Sequence, residues 1–316
     1  MNFWTVLLNH QALETVFAGL PLWMLLLIVA VTITVLSKGA DWMIDGAVSL
    51  ALRTGMSQII IGATILSLGT TMPEAFVSVM AAFMGNPGLA LGNGVGSIIA
   101  DTGMIFGLTA LITAPPVNRR LLIRTGRWQI GSALLLTLLA ALAFFFLPGE
   151  PVISRWMGIV LAGLLVFYMI NTYRWARRNG EEDSAVLPQA EEAGEEVPAS
   201  LFMALFMLTG GLILVIASSR LIVPSAGEIA RRLRVPEDVI AATMVALGTS
   251  LPELSTAIAA MRKGKPEITI GNIVGADVLN VLFVIGAASL AEPLTIPPTF
   301  FRFHFPSLFI PVFYTK

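Results

Sequence analysis

Residues 68–80 read LGTTMPEAFVSVM, and residues 247–259 read LGTSLPELSTAIA. In both, a glutamate directly follows a proline inside an apolar run, and hydroxyl residues stand one turn before it. At helical spacing Ser67, Thr70, Thr71 and Glu74 share one face, and Ala246, Thr249, Ser250 and Glu253 share the matching face of the second stretch. Pro73 has no N–H for the carbonyl of Gly69, and Pro252 has none for that of Gly248, so each helix is expected to kink there. Carboxylate, hydroxyl and freed carbonyl together form an all-oxygen donor set. Such a set suits hard cations such as Ca²⁺ and Na⁺, and not zinc or copper.

The next apolar stretch in each region adds to these faces. Asn93, Ser97 and Asp101 recur every fourth residue, answered by Asn272, Ala276 and Asn280. The run GNGVGS at 92–97 superficially resembles a glycine-rich phosphate loop, but no strand–loop–helix unit surrounds it. Its glycines read better as points of close helix approach. Asp277, which matches Ile98, falls off the main face and reads as a helix-packing or peripheral residue. Carboxylates in mid-bilayer are costly and therefore point to function, which singles out Glu74, Glu253 and Asp101.

The elements that must position these groups are membrane helices. The chain is 56% hydrophobic and 12% charged, with a mean hydropathy of +0.84, against roughly 25% charged residues in a soluble domain. Its length, 316 residues, holds apolar runs of spanning length at about 20–37, 128–147, 152–171 and 201–217. Others near 58–83, 88–113, 236–261 and 267–290 are interrupted by Gly, Pro and a few polar groups. Residues 1–19 read as an interfacial segment, since no basic stretch precedes the first apolar run as in a cleaved signal. Seven of the twenty acidic residues fall in 181–196, marking a solvated linker over 177–198 between membrane halves at 20–176 and 199–316. Cysteine is absent, so disulfides and thiolate metal sites are excluded.

Sliding the chain by 179 residues superimposes Gly69, Thr70, Pro73 and Glu74 on Gly248, Thr249, Pro252 and Glu253, and Gly92, Asn93 and Gly96 on Gly271, Asn272 and Gly275. Residues 62–107 and 241–286 share 15 identities in 46 positions without a gap, which marks an internal duplication. Five helices in the first half, an odd number, make the second copy enter from the opposite side. The expected fold is therefore an all-α polytopic membrane protein, an inverted repeat of five plus five helices. The chain after residue 290 holds only one short, proline-interrupted span, so about nine spans are expected. With the N-terminus outside, 13 of 19 Lys and Arg fall on the inner side, which places the acidic linker in the cytoplasm. The cluster Arg231, Arg232 and Arg234 runs against that bias.

The paired motifs GTTMPE and GTSLPE, each followed by GN..G and then Asp or Asn, resemble the two α-repeats of the sodium/calcium exchanger branch of the calcium/cation antiporters. The resemblance covers about residues 20–290 and implies ion sites at mid-membrane between the second, third, seventh and eighth helices. Carried over by motif, the ligands are Thr70, Thr71, Glu74, Thr249, Ser250 and Glu253, with Ser67 and Ala246 acting through backbone carbonyls. The third and eighth helices supply Asn93, Ser97, Asp101, Ala276, Asn272 and Asn280. Two positions depart from the pattern: Ala276 replaces a serine, and the extra aspartate is Asp101 in the first repeat, opposite Asn280. The function implied is exchange of Na⁺ for Ca²⁺ in the cell membrane, the two ions being the partners along with the lipid bilayer. Proton or K⁺-dependent exchange is the alternative. No cofactor and no nucleic acid are expected. An intramembrane enzyme is disfavoured, since the only histidines are His10 and His304 and no G-x-S-x-G elbow occurs. A passive channel fits paired proline-broken helices less well than alternating access does.

Overall fold

The computed structural model describes residues 15–54, 58–83, 85–112, 119–146, 150–183, 200–234 and 237–309. The expected interfacial segment before residue 15, and residues 184–198 of the linker expected over 177–198, lie outside the described residues, while 177–183 continue the helix that begins at Arg155. Eight long helical elements dominate. They are α1 (Leu22–Thr54), α2 (Gln58–Thr70 and Met72–Phe83), α3 (Pro87–Leu111), α4 (Arg119–Phe146), α5 (Arg155–Asp183), α6 (Leu201–Arg232), α7 (Glu237–Arg262) and α8 (Pro266–Ala291). Two residue pairs make the antiparallel ladder of β1 (Val152–Ile153) with β2 (Leu294–Thr295), which ties the start of α5 to the stretch after α8.

Large apolar side chains on the outer helix faces, among them Leu111, Phe145, Phe146, Phe202 and Ile213, are exposed. A bilayer is the solvent that suits them. Among the described residues, six helices are long and apolar enough to cross a membrane, or seven if the bent α2 pair is one span. The sequence pattern led to about nine. The difference lies in α7, whose middle carries Thr249, Ser250, Pro252 and Glu253, and in the C-terminal stretch, which forms only short turns at Phe300–His304 and Phe305–Ser307.

The duplication is visible in the backbone. Gly85 at φ +76° and Gly264 at φ +66° end matched helices in the left-handed conformation that glycine adopts without strain. Asn86 N–H reaches the Ala81 carbonyl at 2.8 Å and Gly85 N–H that of Ala82 at 3.1 Å. In the second copy Lys265 reaches Ala260 at 2.9 Å and Gly264 reaches Met261 at 3.1 Å. Both turns are Schellman caps, each followed by a proline, Pro87 or Pro266, at the start of the next helix. The kinks are not alike. α2 breaks at Thr71 with a 42° bend between its two pieces, whereas α7 runs through Pro252 as one helix.

α8 is the central rod, with every residue from Ile268 to Leu279 buried. Glycine lets it lie directly on α2. A Cβ built on Gly271 would stand 2.2 Å from the Ile59 carbonyl oxygen, and one on Gly275 would stand 2.6 Å from both Ala63 Cα and Ser67 Oγ. The contacted part of α2, Gly62–Leu66, is wound as a π-helix, and its Ala63 carbonyl accepts a hydrogen bond from the Tyr168 hydroxyl of α5 at 3.0 Å. α1 and α6 pack along their length as a second unit, meeting closely at Gly39 and Gly211. Arg231 and Arg232, the cluster that runs against the charge bias, pair with Glu228, and Arg232 also donates to the carbonyls of Ala18 and Leu20.

Replacing Gly271 by alanine should cost about 1–3 kcal/mol, because the methyl meets fixed backbone rather than a movable side chain. Gly131→Ala, where no described atom lies within 4 Å of the new methyl, should leave the midpoint unchanged or raise it. Thermal unfolding of the two detergent-solubilised variants compares them.

Candidate ion-binding site

The polar residues singled out by spacing come together between α2, α3, α7 and α8. Each candidate glutamate directly follows its motif proline: Glu74 lies in the first turn after the bend at Thr71, and Glu253 follows Pro252 within the unbroken α7. Asp101 and Asn280 each lie at the start of a π-helical segment, Ala100–Ile105 in α3 and Asn280–Ile285 in α8. Such bulges shift the hydrogen-bond ladder by one residue and turn side chains away from the regular helix face. The sequence pattern anticipates neither segment.

Two asparagines stitch the halves together reciprocally. The Asn93 amide nitrogen donates to the Glu74 carbonyl at 3.1 Å and to the Ser78 hydroxyl at 2.9 Å, while its oxygen accepts from the Thr249 hydroxyl at 3.3 Å. The Asn272 nitrogen donates to the Thr256 hydroxyl at 3.2 Å, and its oxygen accepts from the Thr70 hydroxyl at 3.4 Å. Thr70 and Thr249 are matched positions, as are Asn93 and Asn272. Residue i of one copy therefore meets j of the other while j's counterpart meets i's counterpart, the pattern of a two-fold contact. Each amide oxygen keeps a second lone pair.

Other expected donors are already engaged. The Ser67 carbonyl accepts from the Thr71 N–H at 2.9 Å and from the Thr70 hydroxyl at 3.3 Å, and the Ser67 hydroxyl turns to the Thr64 carbonyl. The Pro252 carbonyl accepts from the Ser255 and Thr256 hydroxyls, and that of Glu253 from Thr256. Ser97 is buried between α3 and its neighbours. Ala246 lies within α7, and only its helical backbone is described.

What remains is a set of oxygens with nothing to bind. Both Glu74 oxygens, both Asp101 oxygens, Glu253 Oε2, the Thr71 and Ser250 hydroxyls and Asn280 Oδ1 have no hydrogen-bond partner among the described residues. All six residues are at most 1% exposed. They form three symmetry-matched pairs: Glu74 with Glu253, Thr71 with Ser250, and Asp101 with Asn280. Buried polar atoms are almost always paired, so a concentrated set of exceptions calls for a ligand. The Glu74, Asp101 and Glu253 carboxylates lie close enough to act on one another electrostatically. No lysine, arginine or histidine is buried among the described residues to offset them. Nor do three acidic or histidine side chains among those residues converge to hold a metal unaided, so hydroxyl or amide oxygens must complete any coordination shell.

The chain is similar to known proteins over most of its length. The family described as sodium/calcium exchanger protein matches residues 24–174 and 203–315. A putative antiporter, CaxA of Alkalimonas amylolytica, is 31% identical over 265 residues, 84% of this chain and 80% of that protein. The sodium/calcium exchanger MaX1 of Methanosarcina acetivorans is 28% identical over 293 residues, covering 85% of this chain and 84% of MaX1. A solved structure of the sodium–calcium exchanger NCX_Mj, soaked with Na⁺ and Sr²⁺, superposes with a TM-score of 0.73 at 28% identity over 93% of this chain and 91% of that one.

If the cross-ties hold the halves together, Thr70→Val and Thr249→Val should destabilise the protein alike, by about 1–3 kcal/mol each, since each leaves an asparagine oxygen short of a donor. Thr209→Val, at a residue that bonds only within its own helix, should have no such effect. Thermal midpoints of the three variants make the comparison, and a loss confined to one tie would contradict the reciprocity.

Proposed function

The chain belongs to the sodium/calcium exchanger protein family, and from that premise we propose that it is a secondary antiporter of the cell membrane exchanging Na⁺ for Ca²⁺ by alternating access. The observation that carries this reading is the buried, unpaired carboxylate set of Glu74, Glu253 and Asp101 with no basic residue beside it. Uncompensated charge in an apolar interior costs several kcal/mol per ion, so it is stable only when a cation or proton is held there. Glu74, Glu253 and Asp101, with Thr71, Ser250, Thr70, Thr249, Asn93, Asn272, Ser97 and Asn280 around them, supply the oxygens that hard cations prefer.

In this reading one Ca²⁺, or the Na⁺ ions that replace it, satisfies the same oxygens in turn. Competition follows because the carboxylates cannot serve both loads at once. An unloaded site keeps a net negative charge, which hinders its passage through the apolar middle, and a loaded site does not. Coupling therefore arises from the cost of moving an uncompensated charge. The inverted repeat supports two equivalent end states, with the N-terminus outside and the acidic linker in the cytoplasm. A cavity of about 180 Å³ between α1 and α7 reaches the flank of the second motif at Leu251 and Ser255, with Ser37, Asp41 and Arg262 as its polar lining.

One observation favours a second reading. Asp101 adds a third buried carboxylate to the central pair, and its load could be a proton or K⁺, which would make the exchange H⁺-driven or K⁺-dependent.

Radiolabelled Ca²⁺ uptake into proteoliposomes, with Na⁺, K⁺ and H⁺ gradients imposed one at a time, tests both readings. A Na⁺ gradient should drive uptake. Glu74→Gln and Glu253→Gln should each abolish it, and full-rate transport by Glu253→Gln would refute the assigned site. Asp101→Asn should instead change which monovalent ion drives uptake, and Asp101→Asn with Asn280→Asp should restore the wild-type preference.

A further inference from the structure

A fourth buried carboxylate stands beside the site and has no counterpart in the first copy. Asp277 on α8 is 1% exposed. Its matched position holds Ile98, which lies in the apolar core with Leu91 and Val95. α8 turns this residue toward α4, and the Gln129 amide nitrogen of α4 donates a hydrogen bond to Asp277 Oδ2. Oδ1 has no partner among the described residues. The nearest arginine on α4 in that direction is committed elsewhere: Arg124 donates to Asn171 at 2.7 Å, and its guanidinium lies 4.5 Å from the Trp175 ring centre. The electrostatic neighbour of Asp277 is another carboxylate, that of Asp101, whose two oxygens are equally unpaired.

Neither protonation state of Asp277 closes this arrangement from within. If ionised, Oδ1 is a buried charge beside a second one. If protonated at Oδ1, it is a buried donor whose acceptor on offer is the Asp101 carboxylate, and the pair still keeps one uncompensated negative charge. A helix-packing carboxyl would be expected to have both oxygens satisfied. One oxygen pinned by Gln129 and the other unpartnered, on a helix that packs against the π segment carrying Asp101, is the arrangement of a ligand held in position.

We infer that Asp277, oriented by Gln129, forms with Asp101 an accessory site for a monovalent cation, adjoining the Glu74–Glu253 centre on the side of α4. The inference rests on the exchanger reading for its role in transport. The class of ion follows from the oxygens on offer. Three free carboxylate oxygens and the Gln129 carbonyl are too few for the six to eight that Ca²⁺ takes, while a singly charged ion asks less of its shell. Charge points the same way. Glu74, Glu253, Asp101 and Asp277 are four carboxylates, one Ca²⁺ neutralises two of them, and a monovalent ion beside Asp101 offsets part of the rest. Gln129 acts here as a positioning residue, bringing a helix outside the repeat motifs into ion selection.

The test is equilibrium binding to the purified full chain, using radiolabelled Rb⁺ as the K⁺ probe and radiolabelled Na⁺, with Ca²⁺ binding measured alongside. Asp277→Asn should lose the accessory component of monovalent binding, leaving that of the central site, or raise the half-saturation of that component by about tenfold, a change of about 1.4 kcal/mol, and by more than it raises that for Ca²⁺. Gln129→Leu leaves every carboxylate in place and should shift the same quantity in the same direction by a smaller factor, with Gln129→Asn falling between it and wild type. Should Asp277→Asn fail to fold, the Gln129 pair carries the test. Unchanged monovalent binding in these variants would overturn the proposal. So would proton release on Ca²⁺ addition that vanishes in Asp277→Asn while Rb⁺ and Na⁺ binding stay the same, because the carboxylate would then carry a proton. Wild-type protein that binds no Ca²⁺ would sink the exchanger reading instead, and the Rb⁺ and Na⁺ isotherms would still decide the accessory site.

Discussion

Negative charge without a positive partner, enclosed in an apolar interior, is the constraint on which the rest of this structure depends. Glu74, Glu253 and Asp101 are buried together, and no basic side chain is buried among the described residues. A carboxylate that needs no ligand is normally paired with arginine or lysine, or capped by backbone N–H groups. Here the helices do the opposite. α2 breaks at Thr71 beside Glu74, α7 lacks a backbone donor at Pro252 beside Glu253, and α3 widens into the π segment that carries Asp101. The fold holds these charges available for something that comes and goes.

The surrounding packing makes such a centre tolerable. α8 can pass within backbone contact of α2 because Gly271 and Gly275 have no side chain to obstruct it. That closeness brings Asn272 within reach of Thr70, and its counterpart Asn93 within reach of Thr249. The two amides absorb the local polar demand of the helix breaks and leave the carboxylates and the Thr71 and Ser250 hydroxyls to the ion. α1 and α6 contribute none of these groups and pack chiefly on each other. The α1–α6 unit thus has its own glycine-mediated interface and rests on a core that carries the unpaired carboxylates, an arrangement that fits the proposed alternating access.

Much of this was legible in the chain. The offset of 179 residues that marks the duplication also aligns Gly85 with Gly264, the two glycines that close the Schellman turns, and the paired Pro-Glu motifs hold residues that the structure gathers between α2, α3, α7 and α8. What spacing could not supply was geometry set by tertiary contact. An ideal helical face makes Ser67 and Asn93 look like free donors, yet the Ser67 carbonyl is taken by Thr71 and Thr70, and the Asn93 amide serves as a strut. The two prolines have the same sequence context, but one helix breaks and the other does not, because the course of each helix depends on neighbours that the repeat does not share. Asp277 reads as peripheral on the helical wheel of α8. Only the approach of Gln129 from α4, 148 residues away in sequence, reveals it as a held group.

The central claim is that the buried carboxylates form one centre for which Ca²⁺ and Na⁺ compete. Equilibrium Ca²⁺ binding to the purified protein, titrated with Na⁺ at constant ionic strength with choline as the replacement ion, measures this directly. The account requires saturable Ca²⁺ binding whose half-saturation rises steadily with Na⁺, with no fall in the number of sites. Ca²⁺ binding that is absent, or that is indifferent to Na⁺ at matched ionic strength, would contradict it.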